Sequence, residues 1–364
     1  MAKYYERRPL EEPFAIHQRE IAVVDARSKK YIRHLGFSSM VQLYSFIVEH
    51  VPLHLHYSSA LYEDPDAEDM ERKGWLGSEL MIDLDVDKYP GCDDVVTVCV
   101  SSNVQYRGRG APCPNNEEAV ELPQIDEECL QRAMDDAKRV KRVLEDELGL
   151  KEVRVLFSGS RGFHIVSSDP RVIKLGRDER AQIATLISCS DLDERRTFPS
   201  FGRFIYFTHS ESGIRRRVFE AAKDLGLLER VSNFYRMPAD KLADLLSSVC
   251  INVDKPVTMD ISRLLRFVGS INGKSGLMVR EVDMDVYERF DFDDFRPFEG
   301  EAIVQSFVDL PSVRVYGKKV ELRKGLRERV DAQTAVALAL KGLVKLIDAS
   351  KVEMKSVKPG DKVR

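Results

Sequence analysis

The chain contains no run of about 18 apolar residues, the length a helix needs to cross a bilayer, so no membrane span is expected. The opening MAKYYERRPLEEP has no apolar core of the secretion-signal kind. Only six cysteines occur in 364 residues. That is too sparse for the disulfide framework of a small secreted scaffold, so a reducing, cytoplasmic setting without disulfides is expected. Neither sign of charge dominates: 60 Asp and Glu stand against 56 Lys and Arg, a net −4. Bulk charge therefore gives no support for nucleic-acid binding, and any such role must rest on local patches. What remains is an ordinary globular composition, 43% hydrophobic and 32% charged, in a chain long enough for one large domain with an insertion or for two domains.

Residues 39–50 read as a buried helix, and 53–57 and 78–87 as strands. Residues 88–126 hold Pro90, Pro112, Pro114 and Pro123 and read as an irregular excursion. The clearest helix is 127–148, with Leu130, Ala133, Met134, Ala137, Val140, Leu144 and Leu148 on one face and Gly149 as its stop. Two strands, 152–157 and 163–168, are joined by the turn SGSRG. Residues 170–250 read as mainly helical, 261–268 as a helix, and 331–347 as a C-terminal helix docked in the core. The alternation predicts a mixed α+β fold: a core of β-sheets flanked by helices from 1–169 and 251–364, with 170–250 as an inserted subdomain.

The stretch ELMIDLDVDKY places Asp83, Asp85 and Asp87 on one face of a strand and Ile82, Leu84 and Val86 on the other. Asp83 and Asp85 would lie roughly 6.6 Å apart along the strand, a spacing from which two carboxylates can share hard cations such as Mg²⁺ or Mn²⁺. The alternative is a solvated acidic edge. The apolar lead-in LMI speaks against it, because unpaired carboxylates on a central strand are costly. An EF-hand loop does not fit, since its sixth position would be Lys88 rather than glycine. Asp260 is the candidate third acid; its local alternative is an N-cap for the helix expected after it.

In the turn FSGSRGFH, Gly159 and Gly162 expose backbone N–H groups, Ser158 and Ser160 add hydroxyls, and Arg161 offers a planar fork for phosphate oxygens. His164 begins the next strand and can face the same cleft. An ordinary polar hairpin is the alternative. Arg263 and Arg266 would be neighbours on the helix 261–268, with Lys274 in the following turn. The GKS at 273–275 is no P-loop, because only three residues separate Gly269 and Gly273 and a helix is expected before them. Arg19 and Arg33 are bases flanked by apolar residues, each alone suited to a structural ion pair.

Taken in order, the segments REIAV, YIRHLGF, HYSSALYEDP, KGWLGSELMIDLDVD, FSGSRGFH, VTMDISRLLRFVGSINGKSGL and TAVALALKGLVKLI resemble the small catalytic subunit of archaeal and eukaryotic DNA primases. The resemblance implies that Asp83, Asp85 and Asp260 hold two Mg²⁺ or Mn²⁺ ions. It implies that Ser158, Ser160, Arg161, His164 and Arg266 bind the triphosphate of an incoming nucleotide, with Lys274 beside them and Arg33 near the active site. It implies primer synthesis on single-stranded DNA from nucleoside triphosphates, and a heterodimer with a large subunit carrying an iron–sulfur cluster. The family usually has a histidine where this chain has Asn272. Many relatives carry a zinc knuckle between the aspartate strand and the long helix; here Cys92, Cys99, Cys113 and Cys129 fill that interval without the compact C-x₂-C spacing, so zinc ligands and ordinary cysteines both stay open. Cys189 and Cys250 read as core residues. A repair-type primase–polymerase that extends existing ends, a D-x-D transferase acting on nucleotide sugars and a non-enzymatic replication scaffold are the rival readings.

Overall fold

A computed structural model describes residues 1–110 and 112–364 and shows the mixed α+β architecture. Two four-stranded antiparallel sheets form its centre. In the first, the order is Leu264–Arg266, His54–Ser58, Ile21–Val24, Tyr31–Leu35. In the second, it is Arg280–Glu281, Val153–Phe157, Gly162–Ser167, Leu80–Asp85.

Side-chain alternation decides which face of each sheet is dry. Leu80, Ile82 and Leu84 on one strand and Phe163 and Ile165 on the next enter the main core. There they share a cluster with Leu130, Ala133, Met134, Ala137 and Val140 of the helix Glu127–Arg142. Its start is capped by Asp126, whose Oδ1 accepts from Cys129 N at 3.0 Å. Glu127 and Glu128 in the first turn and Arg139, Lys141 and Arg142 in the last suit the helix dipole. The last stretch widens to a π-turn over Val143–Glu147, and Gly149 at φ 68° ends it. In the first sheet, Ile21, Val23, Leu55, Tyr57 and Leu265 pack with Leu43, Tyr44 and Ile47 of the helix Met40–His50. The intervening His54, His56 and Arg266 are left for the opposite face, where the site forms.

Away from residues 261–268, three segments depart from the sequence expectation. Residues 88–126 are not irregular: Val95–Cys99 is the centre of a three-stranded antiparallel sheet flanked by Val104–Arg107 and Ala119–Pro123, with Val96, Val98 and Leu122 in the main core. Residues 170–250 are not mainly helical. The helix Arg177–Ser188 belongs to the main core through Ile183, Ala184 and Ile187. Beyond it, a four-stranded sheet packs with helices Gly213–Asp224 and Leu242–Val249 around a separate cluster that includes Ile205, Phe207, Val218 and Met237. The C-terminal helix spans only Ala332–Leu340. Gly342 N donates to Ala339 O at 3.0 Å and Leu343 N to Leu338 O at 3.0 Å, the paired bonds of a Schellman stop with glycine at φ 72°. The residues read as its continuation form the strand Val344–Met354, paired to Phe298–Ser306.

The cysteines overturn the expectation of a chain without disulfides. Cys92 pairs with Cys129, Cys99 with Cys113 and Cys189 with Cys250, and none of the six is free. Of the two readings left open for Cys92, Cys99, Cys113 and Cys129, the zinc set does not fit: the four form two disulfides, and a sulfur so bonded is no thiolate ligand. Sequence spacing could not show this, because the fold brings a loop residue, Cys92, to the first turn of the helix Glu127–Arg142 and the strand-end Cys99 to the loop at Cys113, with the partners' Cα atoms at 5.7 Å and 5.6 Å. Removing the 37-residue closure with Cys92→Ser is expected to lower unfolding free energy by about 3–4 kcal/mol in chemical denaturation. Unchanged stability, or six alkylatable thiols in the unreduced denatured chain, would count against the pairing.

Candidate functional site

Asp83 and Asp85 end the strand Leu80–Asp85 on the face opposite its core side. The partner strand runs antiparallel, so His164 lies across from Asp83 and Gly162 across from Asp85. The His164 Nε2 to Asp83 Oδ1 distance is 3.6 Å. Glycine at 162 is a requirement of the close strand approach: a Cβ there would stand 2.0 Å from the Leu84 carbonyl oxygen. The strand stops at Asp85, and Val86–Lys88 turns as a 3-10 helix. Asp87 thus leaves the row of three expected from alternation. Its carboxylate instead pairs with Arg109 at 3.0 Å and Arg161 at 3.4 Å.

The turn before Gly162 is pinned from beneath. Ser158 N donates to Gly162 O at 2.9 Å, and Gly159 takes φ 73°. Buried Asn272 donates through Nδ2 to the Ser158 carbonyl at 3.1 Å and accepts from Lys274 N at 3.0 Å. The Ser275 hydroxyl donates to the Gly159 carbonyl. Where the resemblance implied a histidine, Asn272 joins the Ser158–Arg161 turn to the Asn272–Gly276 turn. The role is architectural and needs no charge.

Asp260 and Arg266 are placed differently from the sequence reading. The helix is Lys255–Met259, before Asp260, and it is capped by Asp254. Asp260 follows its end and accepts from Ser262 N at 2.9 Å and Ser262 Oγ at 2.8 Å. The expected helix over 261–268 is a turn and then the strand Leu264–Arg266, recruited to the edge of the first sheet beside His54–Ser58. Arg263 and Arg266 consequently meet across one cavity rather than along a helix. That cavity, about 390 Å³, is lined by Arg33, His56, His164, Asp260, Arg263 and Arg266, with Tyr31 at its wall. Arg33 is held through Nε by Glu20 Oε1 at 2.8 Å. Arg19 lies elsewhere, buried against Glu79 at 2.9 Å and the carbonyls of Ser58 and Ser59, as a structural ion pair.

Charge is crowded on both sides of this space. Burial pushes Asp83 and Asp85 up to about 6, and at Asp85 the charge of Asp83 adds to it. Burial, then Arg266, holds His164 down at about 4 and His56 well below its usual value. His54 falls to about 3 for the same reasons, with Lys274 adding to them. Its Nδ1 receives Arg266 Nη1 at 2.8 Å and Gly273 N at 3.3 Å, which requires the neutral ring. Burial lowers Arg266, and burial with Arg266 and Arg161 lowers Lys274. Lys341 falls to about 8 through burial and nearby Lys274. Sequence reasoning missed His54, His56, Tyr31 and Lys341. The alternating histidines of LHLHY are the available signal, and alternation by itself indicates only a strand.

Oxygen donors of this kind suit Mg²⁺ or Mn²⁺. Asp83 and Asp85 fit such an ion, since burial raises both carboxyls more than the nearby Arg263 and Lys88, at Asp83, and Arg161, at Asp85, lower them. Asp260 lines the cavity with His164 and Arg266, but among the described residues no three His, Cys, Asp or Glu side chains converge closely enough to share one cation.

A buried acid pair set against a cradle of guanidinium, imidazole and lysine groups is chemistry for handling phosphates. Comparison with known proteins is more specific. A family model described as DNA primase small subunit matches residues 111–284. The DNA primase small subunit PriS of Staphylothermus marinus is 44% identical over 363 residues, covering 98% of this chain and 96% of that protein. The PriS proteins of Sulfurisphaera tokodaii and Aeropyrum pernix are each 33% identical, covering 95% and 92% of this chain and 94% and 88% of their own lengths. A solved structure, the polymerase domain from Mycobacterium tuberculosis Ligase D in complex with DNA, covers 80% of this chain and 85% of its own at TM-score 0.37 and 10% identity, too distant to carry an argument. The chain belongs to the DNA primase small subunit family. That reading stands over the nucleotide-sugar transferase and end-extending alternatives.

The raised carboxyls have a consequence for stability. Each binds its proton more tightly folded than unfolded, from an ordinary 3.8 to about 6. Their favourable contribution is full below about pH 4 and is lost as pH rises through about 6. With divalent ions chelated, Asp83→Asn should therefore raise unfolding free energy at pH 7.5 by about 1–3 kcal/mol. Denaturation at pH 4.5 should show a smaller gain; a variant less stable than the parent at pH 7.5 would contradict the assignment.

Proposed function

We propose that the chain is the catalytic subunit of a primase: a nucleotidyltransferase that joins nucleoside triphosphates into short primers on single-stranded DNA. The observation that supports this most is the facing arrangement of Asp83 and Asp85 against Arg266, His164 and the pinned Ser158–Arg161 turn. In the proposed reaction a 3′-hydroxyl oxygen bonds to the α-phosphorus of the incoming nucleotide, the bond from that phosphorus to the bridging oxygen of the β-phosphate breaks, and pyrophosphate leaves; the hydroxyl proton passes to solvent.

Asp83 and Asp85 would hold Mg²⁺ or Mn²⁺, whose chemistry when bound would be to acidify the attacking hydroxyl and offset charge on the phosphates; Asp260, which does not converge with them on one cation here, would join them only from the wall of the cavity that carries Arg266. The protein groups position rather than react. Ser158 and Ser160 offer donors from a turn whose backbone Asn272 and Ser275 restrain. Arg161, held by Asp87, aims its fork at the triphosphate, and Arg266 and Lys274 extend the cationic wall. Neutral His164 can donate one ring N–H to a phosphate oxygen without adding charge beside Asp83. Arg33, fixed by Glu20, closes the far side. By family resemblance the working unit is a heterodimer with an iron–sulfur-bearing large subunit, in the cytoplasm. Among the described residues no helix is long and apolar enough to cross a membrane.

Primer formation from labelled nucleotides on a homopolymer template, with Mg²⁺ or Mn²⁺ and no starting primer, is the direct test. Asp85→Asn is expected to fold and to lose primer synthesis by about 10³-fold or more, on the scale of losing a preorganised charge stabiliser. Synthesis at the parent rate would dismiss the metal assignment. Arg161→Ala should weaken nucleotide binding about tenfold, the loss of a charge-assisted bidentate contact, while leaving DNA affinity within twofold. An effect confined to DNA affinity would reverse that role.

A further inference from the structure

The inserted sheet presents a second surface, built from different chemistry. Its strands run in the order Ser200–Phe201, Phe204–Phe207, Phe234–Pro238, Glu229–Val231, all antiparallel. Ile205, Phe207 and Met237 turn inward to the local core. Alternation therefore sends Phe204, Tyr206, Phe234 and Arg236 to the other face. Phe201 pairs across from Phe204 and joins them. No helix covers these rings among the described residues: Phe201 is 71% and Phe234 49% exposed.

Guanidinium groups are interleaved with the rings. Arg236 lies 4.3 Å from the Phe204 centroid and is locked there by Glu229, whose two oxygens each accept at 2.9 Å. Arg203 lies 5.2 Å from the same ring. Phe201 and Tyr206 meet edge to face at 6.2 Å. Residues 170–250 carry 14 Lys and Arg against 11 Asp and Glu, in a chain whose overall charge is −4. The positive local balance fits a polyanion, and open rings at sheet spacing fit unpaired bases, which stack on such platforms while arginines meet the phosphates.

We propose that this face of the insertion binds single-stranded DNA and supplies a template contact outside the catalytic cavity. The choice of DNA rests on the primase reading; the stacking chemistry does not. An apolar protein partner fits less well, because cations bracket the rings and the sole acid in the set is engaged by Arg236.

The test is fluorescence anisotropy of a labelled 20-nucleotide oligo-dT with the full chain. Combining Phe201→Ala and Phe234→Ala should weaken binding at least about tenfold, with melting temperature and nucleotide affinity unchanged. In addition, Phe201→Trp should show fluorescence quenching on adding the oligonucleotide, a stacking signal that a structural role would not produce; Trp75 is the chain's one natural tryptophan and serves as the parent control. Parent-like affinity in the double variant, or no quenching, overturns the proposal. So does loss of large-subunit association with DNA binding intact, which would make the face a protein-docking surface. A parent protein that makes no primers yet loses DNA affinity in the double variant would refute the catalytic reading and leave this one standing.

Discussion

Backbone pairing between Leu80–Asp85 and Gly162–Ser167 is the constraint on which the site depends. It sets His164 against Asp83 and leaves Asp85 opposite a residue with no side chain. A slip of one residue would turn Asp83 and Asp85 into the helix-covered core and bring Ile82 and Leu84 to the cavity. What forbids the slip is burial of Leu80, Ile82 and Leu84 with Leu130, Ala133, Met134 and Ala137. Most of the stabilisation thus lies on one face of the strand and most of the chemistry on the other. The hydrophobic face fixes the aim of the charged one.

The groups in and beside the cavity are held away from their preferred ionisation in water. Carboxyls are driven up, bases down, and three imidazoles are kept neutral. Separately each is a liability of burial. Together they suit the cations and polyphosphate of the proposed function, since the former would relieve the acids and the latter the bases. The rigidity that keeps them apart comes from neutral groups: Asn272 and Ser275 tie two turns together through carbonyl oxygens.

Much of this was legible in the chain. The amphipathic period of residues 127–148, the alternation around Asp83 and Asp85 and the glycine-bearing turn at 158–162 are local signals, and the structure keeps them. The losses share a cause. RLLRFV carries an apolar pattern compatible with helix, and only the edge of a distant sheet at His54–Ser58 makes its first part a strand. The strand after Gly342 was absorbed into a helix because its partner lies at Phe298–Ser306, some forty residues back. The histidines of LHLHY gain meaning only when Arg266 arrives beside them. Cysteine pairing likewise needs the tertiary packing of loops and helix ends, which spacing alone does not reveal. Chemistry carried by one segment could be read; chemistry made by two segments meeting could not, except through family resemblance.

The bond between Cys189 and Cys250 joins the end of the helix Arg177–Ser188 to the end of the helix Leu242–Val249, so it crosses the neck of the segment that carries the aromatic sheet. Two cysteines 61 positions apart close the segment between them into a covalent loop with both its feet side by side. Any backbone break inside that loop leaves the fragments on either side chemically attached. The arm that displays Phe201 and Phe234 can therefore be nicked without being shed, and the catalytic half of the molecule stays a single covalent object until a reductant reaches the neck.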